Sequence, residues 1–356
     1  MGRLYTSMKI FHFGEKLESL PKESGRIMAP LHVRIKPTNV CAHNCGYCAY
    51  RTDYLQLGKD MGRRDFIPQP KMMEIIGDLA DMDVKAVTFS GGGDPFYYPH
   101  LAEAVKKLAA TKIKFAALTN GAKLSGELAE LFSANASWIR ISIDGWDEKS
   151  YAEYRGVSED EFRKVMGNIG AFAKLNGNCY LGAVIVVDQK NAAHVYELVS
   201  RLKDAGVHSV KVSPCIMSND GAKNNEYHRD IFEPVKEQAA RAMEELAGEG
   251  FEIYDSYHLL DDKFTKDYQW CPYLQILPVI GADQNVYSCH DKAYNLDCGL
   301  LGSIKEQSFK EMWFSDKNRF YQINPSIHCD HHCVVNRINK QILEFIEADP
   351  DHLEFV

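Results

Sequence analysis

Three cysteines within eight residues constrain this chain more than any other feature. The stretch from Cys41 to Cys48 reads Cys-Ala-His-Asn-Cys-Gly-Tyr-Cys, which spaces the thiols as C-x3-C-x2-C on a loop after an apolar strand. Three soft ligands on one loop suit an iron–sulfur cube, because each thiolate can bind the iron at one corner. A four-iron cube has four corners, so this loop would leave one iron without a protein ligand and open to a small molecule.

A structural zinc site is the alternative interpretation of the same thiols. Cys45 and Cys48 form a C-x2-C pair, which together with a second pair elsewhere in a chain is a common zinc-binding arrangement. The third thiol, Cys41, favours the iron–sulfur cluster, as do the motifs that follow it along the chain.

Composition and charge exclude several functional classes. The chain has 356 residues, of which 45% are hydrophobic and 25% charged, as expected for a soluble globular protein with a substantial core. The net charge is −8 and no Lys/Arg run stands out, so we expect no nucleic-acid partner. No apolar run has the length of a membrane span, and the N-terminus lacks an apolar signal core, so we expect a cytoplasmic protein without a membrane partner.

The ten cysteines are unevenly distributed. Three lie in the opening loop, five lie from Cys271 to Cys333 inclusive, and Cys179 and Cys215 stand alone. They are too sparse for a disulfide scaffold. Clustering of this kind in a cytosolic chain points to metal or redox chemistry.

Strands and helices are predicted to alternate from residue 31 onward. The predicted strands are Leu31–Lys36, Lys85–Ser90, Lys114–Thr119, Trp138–Asp144, Tyr180–Val187 and Ser209–Pro214. The predicted helices are Lys71–Met82, His100–Ala109, Glu127–Ala134, Glu159–Leu175, Ala192–Ala205 and a long polar one, Asn225–Gly248. Strict alternation with Val/Ile-rich strands predicts an α/β fold with a parallel sheet and helices outside it. Six such units are too few for a full eight-stranded barrel.

Three regions are predicted along the chain: a short lead-in over 1–30, the strand–helix domain over 31–254, and a smaller domain over 255–356. The lead-in is too short for a separate peptide-binding domain. In the last region, Leu274–Ile280 and Val286–Cys289 are predicted to form a hairpin around a Gly/Asn turn. Helices are predicted over Lys305–Phe314 and Val334–Ile346.

The cysteine loop, with the aromatic Tyr47 before its last thiol, resembles the signature of the radical S-adenosylmethionine (radical SAM) superfamily. The resemblance implies a SAM-binding 4Fe–4S cluster whose open iron is chelated by the methionyl end of S-adenosylmethionine. It implies that an electron donor such as flavodoxin or ferredoxin reduces this cluster, and that the cofactor is then cleaved to a 5′-deoxyadenosyl radical that abstracts hydrogen from a substrate. It also implies an open, TIM-like partial (β/α)6 barrel.

Two loops of the predicted barrel resemble cofactor-binding segments of the same family. The stretch Ser90-Gly91-Gly92-Gly93-Asp94 resembles the family's Gly-Gly-Glu segment, which binds the amino group of the cofactor's methionine, although here a Gly is added and Asp94 stands where Glu is usual. A tight turn is the alternative role of a glycine run. Asn120, after the third strand, also resembles a cofactor contact, and a plain strand exit is equally consistent with it.

The fourth strand ends in alternating polar residues. Ser142 and Asp144 share one face of this strand, and a polar inner face is unfavourable unless its side chains have partners. In similar enzymes, a Ser here and an Arg later in the chain contact the cofactor's ribose or carboxylate, and Arg155 matches the Arg. A guanidinium suits a carboxylate because it donates two parallel hydrogen bonds. A surface Arg is the alternative.

Cys215 follows the sixth predicted strand and is expected near the mouth of the barrel. It is either a small buried apolar residue or a thiol that returns a hydrogen atom to a substrate radical. Cys179, at the start of a strand, is expected only to pack.

A second set of thiols lies in the C-terminal region. Cys271 and Cys289 flank the predicted hairpin, Cys329 and Cys333 follow it, and four thiols can complete a four-ligand cluster. The layout resembles the "twitch" form of the SPASM extension, which holds one auxiliary 4Fe–4S cluster, and in particular that of radical SAM dehydrogenases of aminocyclitol biosynthesis. The alternatives are a zinc site, or replacement of one ligand by Cys298 or by a neighbour. Those neighbours are His328, His331 and His332.

The leading functional prediction is a radical SAM oxidoreductase acting on a small polar molecule such as a sugar or a cyclitol. An auxiliary cluster near the barrel mouth would accept the second electron of a two-electron oxidation, for example of an alcohol to a ketone. The alternatives are a redox-neutral epimerase or dehydratase with Cys215 as hydrogen donor, a peptide maturase, and a zinc-bound scaffold without catalysis.

Overall fold

The computed structural model describes residues 5–257 and 264–354, and its strands form one mixed sheet. In chain order the strands are β1 His32–Ile35, β2 Ala86–Phe89, β3 Lys114–Thr119, β4 Trp138–Ser142, β5 Tyr180–Val187, β6 Ser209–Pro214, β7 Glu252–Asp255, β8 Val279–Ile280, β9 Asn285–Tyr287 and β10 Leu300–Ser303. Their order across the sheet is β10-β9-β8-β1-β2-β3-β4-β5-β6-β7.

Helices precede β1, follow β10 and connect the successive strands from β1 to β7. They are α1 Gly14–Ser19, α2 Gln69–Asp81, α3 Leu101–Ala109, α4 Gly126–Asn135, α5 Glu148–Arg155, α6 Asp160–Lys174, α7 Val195–Asp204, α8 Gly221–His228, α9 Phe232–Glu245, α10 Phe309–Phe314, α11 Pro325–His328 and α12 Asn336–Ile346. None of the described helices is both long and apolar enough to cross a membrane.

Strands β1 to β7 run parallel in sequence order, which confirms the predicted α/β fold with a largely parallel sheet. Val33, Ile139 and Val210 are fully buried in this sheet, as expected where helices cover one face and the barrel interior the other. The carboxyl ends of parallel strands lie at one edge of a sheet. The loops after β1, β2, β3, β4 and β6 therefore meet there.

Two parts of the barrel differ from the prediction. The single helix expected over Asn225–Gly248 is two helices, α8 and α9, joined by a 3-10 turn at Arg229–Ile231. Helix α8 begins earlier because the Asp220 side chain accepts hydrogen bonds from two amides of its first turn. Pro234 lies in the first turn of α9, where its missing N–H is tolerated, so a new helix starts there.

A seventh parallel strand, β7, was not predicted. All four of its residues are half-buried at the edge of the sheet, so their sequence has no hydrophobic alternation to detect. Helix α5 was also missed, although Asp147 and Ser150 form a capping box that a sequence search for helix starts can find.

The predicted hairpin of the C-terminal region extends the barrel sheet. Its first strand is shorter than expected, because Pro272–Gln275 form a 3-10 turn, and β8 pairs in parallel with β1 through Arg34 and Val279. The unpredicted strand β10 then pairs with β9. The division into domains near residue 254 stays a prediction. The hairpin lies beside β1, the strand that leads into the first cysteine loop.

Candidate active site

A cavity of about 400 Å³ opens at the carboxyl edge of the parallel strands. This volume lies within the range of about 300–1,000 Å³ typical of small-molecule sites. Residues predicted to bind the first cluster or its cofactor line the cavity, together with Cys215. They are Cys41, Cys45, Tyr47, Cys48, Gly91, Gly92, Gly93, Asp94, Asn120, Ser142 and Arg155. Asp144, which is fully buried, lies behind the wall.

Hydrogen-bond donors approach two thiols of the first cysteine loop. Asn120 Nδ2 lies 3.7 Å from Cys41 Sγ, and Arg155 Nη1 lies 3.6 Å from Cys45 Sγ. The Cys48 amide donates to the Cys45 carbonyl at 3.1 Å, which turns the chain between these two residues. Donors directed at sulfur stabilise a thiolate, so the loop suits ligands that lose their protons on binding a metal.

Burial by itself disfavours the deprotonated, thiolate form of the cysteines in this loop. It raises the pKa of Cys41 to about 11, and it raises the pKa of Cys48 as well. At neutral pH both side chains are therefore protonated in the free chain, and binding of iron would release their protons.

One buried carboxylate positions Tyr47 and Arg155 beside the cysteine loop. The Tyr47 hydroxyl and the Arg155 guanidinium both donate to Asp144 Oδ2. The Val186 amide donates to Asp144 Oδ1 at 2.9 Å. The side chains of the ion pair are 0% (Asp144) and 5% (Arg155) exposed, and removing one partner of such a pair costs about 3–5 kcal/mol.

The glycine loop packs directly on the backbone of the cysteine loop. A Cβ on Gly93 would lie 2.2 Å from the carbonyl oxygen of Val40, and a Cβ on Gly91 would lie 1.4 Å from the carbonyl oxygen of Gly93. The Gly91 carbonyl accepts a hydrogen bond from Lys36 Nζ at 3.0 Å. The two loops can approach this closely only because these glycines have no side chains.

Both carboxylate oxygens of Asp94 have partners within the protein. Oδ2 accepts from the Asn120 amide at 2.6 Å and from Thr119 Oγ1 at 2.9 Å. Oδ1 accepts from the Phe96 amide at 2.9 Å. Asp94 therefore joins the glycine loop to the end of β3. A contact between its carboxylate and the cofactor stays a prediction.

Cys215 presents a protonated thiol to the cavity. Burial raises the pKa of this thiol to about 12. The Cys215 backbone carbonyl accepts a hydrogen bond from His228 Nε2 at 2.8 Å, which anchors the loop after β6 to the end of α8. The S–H form is the one that a hydrogen-atom donor requires.

Four of the five cysteines of the C-terminal region line a second, smaller cavity. Cys271, Cys289 and the pair Cys329 and Cys333 come from three separate segments of the chain and meet there. Asn339 of α12 is fully buried, and its Nδ2 donates to Cys271 Sγ at 3.2 Å. The donor set fits a four-thiolate iron–sulfur cluster, as predicted from the sequence.

Cys298 lies outside this second cavity. It lines a separate pocket with Asp297 and His328, and Lys292 Nζ donates to its sulfur at 3.1 Å. His331, in contrast, lines the second cavity. The geometry therefore favours the four predicted cysteines over Cys298 as ligands.

Among the residues that the structure describes, no group of three or more His, Cys, Asp or Glu side chains is arranged to hold a single metal ion. The cysteines of both regions instead surround cavities.

A buried hydrogen-bond chain that sequence reasoning missed connects the two cysteine regions. Lys36, fully buried at the end of β1, donates to the Tyr50 hydroxyl, which lies 3.1 Å from His290 Nδ1. Tyr50 is two residues beyond Cys48, and His290 directly follows Cys289. The pairing of β1 with β8 brings these segments together, and no local sequence pattern signals such a contact.

Comparison with protein families identifies a known domain in part of the chain. The profile of the radical SAM superfamily matches residues 35–192, which hold the first cysteine loop, the glycine loop and Arg155. The chain therefore contains a radical SAM domain, and this family uses a 4Fe–4S cluster and S-adenosylmethionine.

Characterised relatives are distant. A GTP 3′,8-cyclase of Aeromonas hydrophila is 26% identical over 161 residues, which cover 45% of this chain and 46% of the cyclase. An S-adenosylmethionine-dependent nucleotide dehydratase of Psychrobacter lutiphocae is 22% identical over 240 residues, covering 63% of this chain and 77% of the dehydratase. Because the alignment with the cyclase spans about half of that relative, no whole-protein activity follows from it.

Solved structures share the fold over most of the chain. Streptococcus suis SuiB, solved with its precursor peptide SuiA, superposes with a TM-score of 0.62 at 17% identity, covering 89% of this chain and 72% of SuiB. The enzyme anSMEcpe with bound AdoMet superposes with a TM-score of 0.58 at 17% identity, covering 89% and 96% of the two chains. At this identity the likeness concerns the fold alone.

Proposed function

We propose that this radical SAM protein oxidises a small polar substrate, such as a sugar, a cyclitol or a related metabolite, by two electrons. Cys41, Cys45 and Cys48 hold the SAM-binding cluster, and an auxiliary cluster occupies the second cavity. Its ligands are Cys271, Cys289, Cys329 and Cys333. A small reducing protein such as flavodoxin or ferredoxin supplies the first electron.

The proposal depends mainly on the closeness of the two cysteine-lined cavities. His290 lines the first cavity and directly follows Cys289 of the second. A substrate in the first cavity can therefore lie one residue away from a ligand of the auxiliary cluster. Such closeness suits an enzyme that transfers an electron from the substrate to that cluster, and a purely structural metal site has no need of it.

The cofactors supply the difficult chemistry, and the chain supplies position and environment. When bound, the first cluster and S-adenosylmethionine would provide a 5′-deoxyadenosyl radical, and the auxiliary cluster would provide an electron acceptor. Arg155, which donates to Asp144, and the carbonyls of the glycine loop would orient the cofactor, because both line the cavity.

A redox-neutral reaction, epimerisation or dehydration, is the second candidate. Cys215 favours it, because its protonated thiol lines the cavity and could return a hydrogen atom to a substrate radical. The likeness to the nucleotide dehydratase of Psychrobacter lutiphocae also supports a reaction without net oxidation. The likeness to SuiB and anSMEcpe, which concerns the fold, keeps peptide modification as a further outcome of the test.

The test is anaerobic incubation of the reconstituted protein with S-adenosylmethionine, a reductant and pools of candidate substrates. Mass spectrometry follows 5′-deoxyadenosine and the mass of each candidate. Loss of two hydrogens from a sugar or cyclitol supports the proposal. An unchanged mass with altered stereochemistry, or loss of water, supports the second candidate, and a modified peptide overturns both.

A further inference from the structure

Two buried lysines line the second cavity. Lys266 is 8% exposed and Lys292 is 1% exposed, and both contribute to the wall that the four cysteines form. Burying an ammonium group is unfavourable unless negative charge compensates it. Two such groups around one cavity therefore call for an anionic occupant.

The acceptors that the protein itself offers these lysines are neutral. Lys266 Nζ donates to the His331 carbonyl. Lys292 Nζ donates to the His328 carbonyl at 2.6 Å and to Cys298 Sγ at 3.1 Å. Over the described ranges, both ammonium groups are thus held by carbonyls and a thiol rather than by carboxylates.

Two acids near the cavity partly offset the positive charge of Lys266. Asp291 and Asp330 both raise its pKa, by less than the sulfurs of Cys333 and Cys329 do. Asp291 Oδ2 accepts a hydrogen bond from the Val334 amide at 3.2 Å. Burial lowers the pKa of Lys292, but the nearby sulfurs of Cys329 and Cys298 outweigh it and the net pKa is raised. Burial lowers the pKa of Lys266, against the opposing effect of Cys333 and Cys329. Negative charge in the cavity would hold both groups in the ammonium form.

We propose that Lys266 and Lys292 raise the reduction potential of the auxiliary 4Fe–4S cluster and so make it the electron acceptor. A four-thiolate cluster carries net negative charge, which grows by one on reduction, and nearby positive charge favours the reduced form. This inference rests on the proposed function. In that oxidation the substrate gives a hydrogen atom to the deoxyadenosyl radical, then one electron to the cluster and one proton to solvent or a basic side chain.

The first cavity also has cations near its thiols. Arg155 lies 3.6 Å from Cys45 Sγ and forms an ion pair with the buried Asp144. Arg51 lines the cavity and donates to the His43 carbonyl at 2.8 Å. The proposal therefore concerns the potential of the auxiliary cluster itself and does not depend on a difference from the first cavity.

The test is an EPR-monitored redox titration of the anaerobically reconstituted, full-length protein and of Lys266→Met and Lys292→Met. Addition of S-adenosylmethionine identifies the first cluster, because only a cluster with an open iron changes its signal on binding it. Lys266→Arg and Lys292→Arg keep the charge. Lys340→Met is the matched control, because Lys340 is partly exposed and pairs with Asp267 on the surface.

Each Lys→Met variant is expected to make reduction of the auxiliary cluster at least tenfold less favourable, a downward shift of about 59 mV or more for one electron. The Arg variants and Lys340→Met should stay close to the parent value. Unchanged potentials in both Lys→Met proteins, with iron retained, would overturn the proposal. Loss of the auxiliary irons in both would also overturn it, because the lysines would then build the site rather than tune it.

The same experiment separates this inference from the proposed function. If the parent protein cleaves S-adenosylmethionine and oxidises a substrate while its auxiliary potential is insensitive to both lysines, the inference fails and the function stands. If the parent contains only the first cluster, the inference and the assignment of the electron acceptor fail together, while the radical SAM chemistry remains.

Discussion

The two cysteine regions of this protein use the same side chain in two different arrangements. The first places three thiols on one short loop at the edge of a cavity of about 400 Å³. The second gathers four thiols from separate segments around a smaller cavity lined by two buried lysines. A local set of three suits a metal centre that must leave one position open for a cofactor. A dispersed set of four suits a closed centre that exchanges only electrons.

The largest effect is expected from the first cysteine loop. Cys45→Ala removes one of three iron ligands, so formation of 5′-deoxyadenosine should fall to background while the auxiliary irons remain. Chromatography of the nucleotide and iron analysis measure the two quantities. The matched control is Cys179→Ala, because Cys179 is buried at the start of β5, away from both cavities. Continued cleavage of S-adenosylmethionine by the Cys45 variant would contradict the assignment.

The second cysteine region should respond differently. We expect Cys289→Ala to lower the iron content from about eight to about four per chain, as loss of one of two four-iron clusters requires. Cleavage of S-adenosylmethionine should continue, since the first loop is unchanged, but oxidised product should disappear. Cys298→Ala is the control and should keep all the iron, because Cys298 lies outside the cavity. If Cys298→Ala instead loses about four irons and Cys289→Ala keeps them all, the auxiliary cluster is bound by Cys298 and not by Cys289.

A buried ion pair of the first region provides a prediction about stability. Asp144→Asn leaves the Arg155 guanidinium buried without its counter-charge, which should lower the free energy of unfolding by about 3–5 kcal/mol. Asp160→Asn breaks the exposed pair with Arg163 and should change it by about 0–1 kcal/mol. Urea denaturation compares the two variants. Equal effects would mean that Asp144 does not hold the wall of the cofactor cavity.

The smallest effect is expected at Cys215. If the reaction is an oxidation, no hydrogen atom returns to the substrate, so Cys215→Ala should turn over within a few-fold of the parent. Product analysis in deuterated water adds a second readout, because the exchangeable thiol would deliver deuterium to carbon. Loss of turnover in the variant, with deuterium incorporated by the parent, would favour the redox-neutral candidate over the oxidation.

The comparison also shows which strands and which candidate ligands could be predicted from the sequence. The predicted strands Lys114–Thr119, Tyr180–Val187 and Ser209–Pro214 agree with β3, β5 and β6 at both ends. Strand β5 is an almost continuous apolar run, as is typical of buried parallel strands, and β6 alternates its valines with polar residues. Each predicted ligand set lines one of the two cavities. These sets could be predicted because the number and spacing of cysteines along a chain depend on the kind of metal centre that they suit.

Features that depend on tertiary contacts were missed. Strand β7 has no alternation, and the link from Lys36 through Tyr50 to His290 exists only because β1 pairs with β8, far along the chain. Lys266 and Lys292 are ordinary surface residues by sequence, and the cavity that buries them forms only when the C-terminal segments meet.

The central claim is that the first loop holds a cluster whose open iron binds and splits S-adenosylmethionine. The direct measurement is anaerobic incubation of the fully iron-loaded protein with S-adenosylmethionine and dithionite, followed by quantification of 5′-deoxyadenosine and methionine. We predict both products in equal amounts, formed by the parent and absent from Cys45→Ala. A colourless protein that contains zinc, or an iron-loaded protein that leaves the cofactor intact, would contradict the account.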